Sequence, residues 1–166
     1  MTAGRKPVIV RRFTGEWLAG YMAADFTTNE LELLDPAGKL VCIAWSEIKW
    51  VCLVRELPGG NDKSDPERLL HKRFSTKPRA TGIWLRLMLN DCDLLEGLAA
   101  NDLSLLAPNG LLLTPPDTRS NTQRIFVPRL AIAELEVVAL ISNASRKHSP
   151  TTSVTQPGLF PPEPGD

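Results

Sequence analysis

Apolar and polar positions along this chain come in short runs, and each run meets a turn signal before it reaches helical length. After Pro7, "VIVRRF" is rich in β-branched residues and runs into Thr14-Gly15, which predicts a strand entering a hairpin. "EWLAGYMAADF" continues as a second strand, where Gly20 inside an extended run predicts a bulge or a sharp bend. In "TTNELELLD", Leu31 and Leu33 share a face opposite Glu32, which gives a third strand. Pro36-Ala37-Gly38 turns the chain into "LVCIAW", the fourth. "SEIKWVCLVREL" opens with a single helical turn and ends in a fifth, strongly apolar strand.

The pattern then restarts. "GIWLRLMLN" matches "PVIVRRF", Asn90-Asp91 matches Thr14-Gly15 as the turn, "DLLEGLAAND" matches the second strand and "GLLLTPP" the third. Leu18, Gly20, Ala23 and Asp25 recur at one common offset as Leu95, Gly97, Ala100 and Asp102. A second block, "RIFVPRLAIAELEVVALI", parallels "LVCIAWSEIKWVCLV", with Ile43 and Ile48 matched by Val127 and Ile132 at the same separation. Two blocks in one order with a variable loop, "DTRSNTQ", between them indicate a duplication. The repeats cover residues 6–57 and 81–141. Between them, residues 58–80 are polar and punctuated by Gly and Pro, a charged linker with one short helix over "PERLLHKRF", where Asp65 and Pro66 suit the N-cap and first helical positions. Residues 142–166 are rich in Ser, Thr and Pro and predict a disordered tail.

Composition narrows the function classes. Of 166 residues 43% are apolar, enough for a core, and 14 prolines with 11 glycines disfavour long helices. Zero formal net charge and a pI near 6.7 supply no global field toward nucleic acid or an anionic membrane, so such binding requires a local patch. Cys42, Cys52 and Cys92 lie in apolar stretches without CxxC spacing, which predicts reduced structural thiols. Neither a secretory h-region nor a span of ~20 apolar residues occurs, and a cytoplasmic protein without membrane attachment is the expectation.

The residues Gly15, Leu18, Gly20, Asp25, Asn29, Leu31 and Leu33, in "GEWLAGYMAADFTTNELEL", resemble the first motif of Sm-like barrels, in which a glycine-bent strand leads to an Asp and an Asn facing RNA bases. Where the second Sm motif carries a basic residue and glycine, the chain has Ala44-Trp45-Ser46 and Pro128-Arg129-Leu130. The whole of residues 6–141, with "RRFTGEWLAGYMAADF", "SEIKWVCLVREL" and "SNTQRIFVPRLAI", is similar to an uncharacterised bacterial family of duplicated small-barrel domains. That resemblance implies an all-β fold of two tandem five-stranded Sm/SH3-like barrels packed as a pseudo-dimer, often beside signalling partners. A further stretch is similar to PilZ domains, cyclic di-GMP receptors with an RxxxR arm before a barrel and a [D/N]xSxxG motif. Here the arm is Arg73-Phe-Ser-Thr-Lys77, and Asp102-Leu-Ser104-Leu-Leu-Ala107 follows.

The densest basic cluster is Arg68, Lys72, Arg73, Lys77 and Arg79, with His71 among them, and its cations can pair with phosphate. The inserted loop carries Arg119, Asn121, Gln123 and Arg124, where amides flanked by guanidinium groups can read a base edge or a peptide backbone. Trp50 and Trp84 sit among apolar neighbours and predict core packing, whereas Trp45 takes a turn position and predicts a partly exposed contact. Catalysis has no supporting constellation. His71 and His148 have no triad or metal-ligand neighbours, and Asp91 with Asp93 suit a solvated turn. The expectation is therefore a non-catalytic binding module without a cofactor, in a bacterial regulatory system, with a protein as partner. Cyclic di-GMP and RNA are the alternatives, and self-association is open to it. A barrel of ~50 residues buries little surface, so the repeats are expected to depend on each other through Val51, Leu53, Val137 and Leu140. Either half expressed alone should be unfolded or aggregated, and cooperative reversible melting of an isolated half would refute that interdependence.

Overall fold

The computed structural model describes residues 4–22, 26–59, 68–117 and 119–143. Among the described residues ten strands follow one another along the chain. The first repeat contributes β1 (Lys6–Arg12), β2 (Trp17–Met22), β3 (Glu30–Leu34), β4 (Leu40–Ala44) and β5 (Ile48–Val54). The second contributes β6 (Gly82–Leu89), β7 (Leu94–Ala99), β8 (Gly110–Thr114), β9 (Thr122–Pro128) and β10 (Ile132–Ile141). A single 3-10 turn joins β4 to β5 at Trp45–Glu47 and another joins β9 to β10 at Arg129–Ala131, as the matched blocks predict.

All the described pairings are antiparallel and lie in one ten-stranded sheet, ordered β10-β6-β7-β8-β9-β5-β1-β2-β3-β4. Each repeat keeps the internal order fifth, first, second, third, fourth. Where two separate five-stranded barrels were expected, the described strands form one continuous sheet, because β5 of the first repeat hydrogen-bonds β9 of the second (Val51↔Phe126, Cys52↔Ile125, Leu53↔Arg124). The seam is thus a fifth-strand to fourth-strand joint. Val137 and Leu140, expected at the junction, lie instead on the outer strand β10, 59% and 59% exposed.

The seam explains why β5 reads as a nearly continuous apolar run. A strand covered on one face alternates, whereas a strand covered on both has no polar face to show. Six of its seven residues, including Lys49, are buried. Val51 belongs to a core with Val8, Val10, Leu31, Leu33 and Ile43. Trp50, Cys52 and Val54 belong to the other, with Leu85, Leu87, Leu95, Leu113 and Ile125 of the second repeat. Phe126 crosses the seam: it comes from β9 but packs into the first repeat's core, stacked on Phe26 at 4.0 Å between ring centroids. Trp45 meets Phe126 edge-on at 5.5 Å, and its Nε1 donates to the Thr28 carbonyl at 2.7 Å, which leaves Trp45 9% exposed and not a surface contact.

Lys49 is the polar exception on β5. Its ammonium donates to Asp91 at 2.5 Å and also to Asp93, both in the β6–β7 turn. The two carboxylates expected in a solvated turn therefore lock the first repeat's fifth strand to the second repeat's first hairpin. Of the two alternatives expected at Gly20, a bulge or a sharp bend, the first does not form. The β1–β2 register runs unbroken from Lys6↔Met22 to Arg11↔Trp17, so there is no bulge. What requires glycine is space: a Cβ at Gly20 would lie 2.4 Å from the Leu34 carbonyl oxygen where β3 crosses it. The turns match one residue later than expected, since Gly15 and Cys92, not Gly15 and Asp91, carry the positive φ (93° and 67°).

The linker helix reduces to a 3-10 turn at Leu69–His71, after which Lys72 is extended. Its start at Asp65–Glu67 lies outside the described residues, as do Ala23, Asp25 and the expected tail beyond residue 143. Truncating Phe126 removes a ring that the first repeat cannot replace. Phe126→Ala is expected to cost about 3–5 kcal/mol in urea titration, with hydrogen exchange in β1–β3 and β6–β7 accelerating together. Loss of protection confined to the second repeat would show that the seam does not couple the halves.

Candidate functional site

Cations from the two repeats converge along the seam. Lys6 at the start of β1, Arg55 just past β5 and Arg124 on β9 line one groove of about 910 Å³, together with the Gln123 amide. Its apolar floor includes Phe26, Leu53 and Leu112. The fold dictates this arrangement: β9 pairs with β5 through Leu53↔Arg124, and β1 lies on the other side of β5. No carboxylate lines the groove among the described residues. A concave apolar surface rimmed by guanidinium and ammonium groups suits an acidic ligand that also carries apolar groups.

A second cleft, about 840 Å³, opens where the inserted loop meets the chain leaving β5. The loop is held there by Asn121, whose Oδ1 accepts from the backbone N–H of Arg55 (3.2 Å) and Glu56 (3.3 Å) and whose Nδ2 donates to the Glu56 carbonyl (2.8 Å). Asn121 thus extends the β5–β9 ladder beyond its last paired residues, and its amide is spent on backbone. Ser120 likewise donates to the carbonyls of Asp117 and Thr122. Arg68 and Arg119 line this cleft, but so do Glu56 and Asp117, so its charges balance.

The other predicted residues are dispersed. Lys72 pairs with Asp117 at 3.6 Å. The Arg73 guanidinium donates to the carbonyls of Leu70 and Lys72 at 2.9 Å each, and its Nε lies 3.7 Å from Glu96. Glu96 is buried on β7, where it accepts from Trp84 Nε1 (2.8 Å) and the Phe74 N–H (3.0 Å) and lies 3.6 Å from Arg86. A buried carboxylate needs such donors, and β6 and the linker supply them together. Arg73 is therefore a strap holding the linker to the second repeat. Lys77 and Arg79 are exposed on the linker and line neither cleft.

Asp102 caps the 3-10 turn Leu103–Leu106, accepting from the Ser104 N–H at 2.8 Å. Hydrogen bonds from the Ser104 hydroxyl and then from its N–H hold the Asp102 carboxyl below the usual range, with a smaller contribution from the nearby Arg124 charge. Asp102 follows the Ala99 end of β7, whereas Arg73 sits at its Leu94 end. The two are thus attached at opposite ends of the strand. Sequence reasoning found Gln123 and Arg124 but missed Lys6, Arg55 and Glu96. Lys6 and Arg55 lie far apart along the chain, and only a paired β1–β5 could bring them to Arg124. The signal for Glu96 was present, a lone acid in the apolar run of "LLEGLAA".

The family model for DUF6982, a family of unknown function, matches residues 4–139. The chain belongs to that family. No curated protein and no solved structure matches it. The matched span ends within β10 of the DUF6982 fold, so it contains the seam, both clefts and the Glu96 strap. Among the described residues no group of His, Cys, Asp and Glu could hold a metal ion, and no helix is long and apolar enough to cross a membrane.

The cap at Asp102 predicts a local pH dependence. A carboxyl whose folded pKa is depressed contributes stability above its unfolded pKa and loses it as pH falls through the folded value. Amide protection at residues 102–107 is expected to weaken on acidification through the carboxylate range. Asp102→Asn, which keeps a capping oxygen, should flatten that dependence, and an unchanged pH profile would refute the role of the charge.

Proposed function

We propose that this chain is a non-catalytic binding module in a bacterial regulatory system and that its partner is a protein presenting an acidic, partly apolar segment. The observation that supports this reading is the seam groove, where Lys6 and Arg124 flank Phe26, Leu53 and Leu112. Carboxylates of an extended segment would meet the cations while apolar side chains cover the floor. The strand order fifth-first-second-third-fourth in each repeat supports the small-barrel, Sm/SH3-like character of the halves and their treatment as a pseudo-dimer.

Two nucleotide readings are weaker on physical grounds. Cyclic di-GMP of PilZ type needs an arginine arm and an Asp-x-Ser element converging on one ligand, but Arg73 is committed to Glu96 and to carbonyls away from Asp102. Sm-type RNA binding needs aromatic faces open for stacking. In the seam groove Phe26 is already stacked on Phe126, and Trp45 is buried.

The test uses intact protein as bait in extract of the native host, beside Lys6→Glu/Arg124→Glu. The expected result is a partner retained by the wild type in a salt-sensitive manner and lost from the variant, whose melting is unchanged. Calorimetry with cyclic di-GMP should give no heat, and saturable heat abolished by Arg73→Ala would overturn the proposal. Retention of RNA oligonucleotides with a steep salt slope would overturn it in favour of the RNA reading.

A further inference from the structure

Among the described residues the seam leaves two edges of the sheet open, and they are the two halves of the same kind of joint. Within the chain, the fifth strand of one repeat (β5) pairs with the fourth strand of the other (β9). The remaining fifth strand, β10, and the remaining fourth strand, β4, are the outer strands of the sheet. We propose that β10 of one molecule pairs with β4 of a second copy, repeating the β5–β9 joint head to tail.

The repeats align through their paired glycines. Val8 faces Gly20 as Leu85 faces Gly97, so Val8 corresponds to Leu85. Val10 faces Val51 as Leu87 faces Leu135, so Val51 corresponds to Leu135, and by the same ladders Leu53 corresponds to Val137. On the other side of the joint, Phe126 pairs with Leu112 as Cys42 pairs with Glu32, so Phe126 corresponds to Cys42 and Arg124 to Leu40. The internal pairs Val51↔Phe126 and Leu53↔Arg124 thereby specify the intermolecular register Leu135↔Cys42 and Val137↔Leu40.

The surfaces fit that register. In the first repeat, Phe126 shares a core with Val8, Leu31, Val51 and Leu53. In the second repeat the counterparts Leu85, Leu111, Leu135 and Val137 line an open apolar groove of about 400 Å³ instead. Leu135 is 48% exposed, and Leu40 on the free edge of β4 is 54% exposed. An edge strand with unpaired backbone groups and an uncovered apolar face is a template for another strand. The polar substitutions are complementary as well. Where the internal joint clusters Trp45, Leu112 and Phe126, the corresponding residues are Arg129, Glu32 and Cys42, which place a cation opposite a carboxylate. On the other face of β10, Glu136 holds Arg86 at 3.0 Å, and Ala133 stands where β5 has the Lys49 anchor. The intermolecular joint thus lacks the internal one's ion pair and second apolar face, which makes it a reversible, concentration-dependent contact. Because the contact is heterologous, copies add in one direction and either close a ring or extend.

The full chain tests this directly. In a Cys92→Ser background, Leu135→Cys is expected to form intermolecular disulfides between the introduced thiol and Cys42 on mild oxidation, since directly opposed strand positions suit disulfide geometry. Peptide mapping identifies the pair. Cys42→Ala in the same background should abolish the cross-link. Sedimentation of the wild type should show average mass rising with concentration, and Leu135→Lys should abolish the rise without lowering Tm. A wild type that stays monomeric over its whole soluble range overturns the proposal. So does a cross-link joining two introduced thiols, which marks an isologous β10–β10 contact.

Discussion

The architecture depends on the pairing of β5 with β9. That ladder places one strand between two hydrophobic cores, so the backbone hydrogen bonds of the seam are shielded on both faces by side chains from both repeats. Trp50 and Val51 are adjacent in sequence and belong to different cores. Buried hydrogen bonds are costly to open once water is excluded, and here opening them would also uncover Phe126 and Trp50. Neither half can present its natural surface without the other.

Around that seam the polar groups act as fasteners. Lys49 reaches the β6–β7 turn, Asn121 lengthens the ladder with its amide, and Glu96 draws the linker onto β6 and β7 through Trp84, Phe74 and Arg73. Each satisfies a group that would be expensive to leave unpaired. The same strand pairing that buries the apolar residues leaves Lys6, Arg55 and Arg124 at the rim. The basic groove at the seam is thus a by-product of how the repeats join.

The repeats were legible because they are written in local signals. The alternation of "ELELL", the turn glycines and the two matched blocks survive in a one-dimensional reading, and the strands fall near where those signals put them, except that β9 starts at Thr122 and so takes Gln123 and Arg124 out of the expected inserted loop. The second strand's glycine was also visible, although its reason was not, since the Leu34 carbonyl that crosses Gly20 comes from elsewhere in the chain. The basic cluster misled for a related reason. Arg73 and Lys72 look free in a list of charges, and they are paired with Glu96 and Asp117 only after the linker lies against the second repeat.

Sequence by itself determined the all-β class, the internal repeat and the succession of strands along each half, because side-chain periodicity and turn chemistry act over a few residues. Tertiary structure alone decided that β5 joins β9 instead of β10. The apolar character of Val51, Leu53, Val137 and Leu140 is the same in either arrangement. What separates them is whether each strand's second face finds a core to enter, and that depends on Phe126, Trp50 and Lys49 meeting partners that are distant in the chain and adjacent only once it has folded.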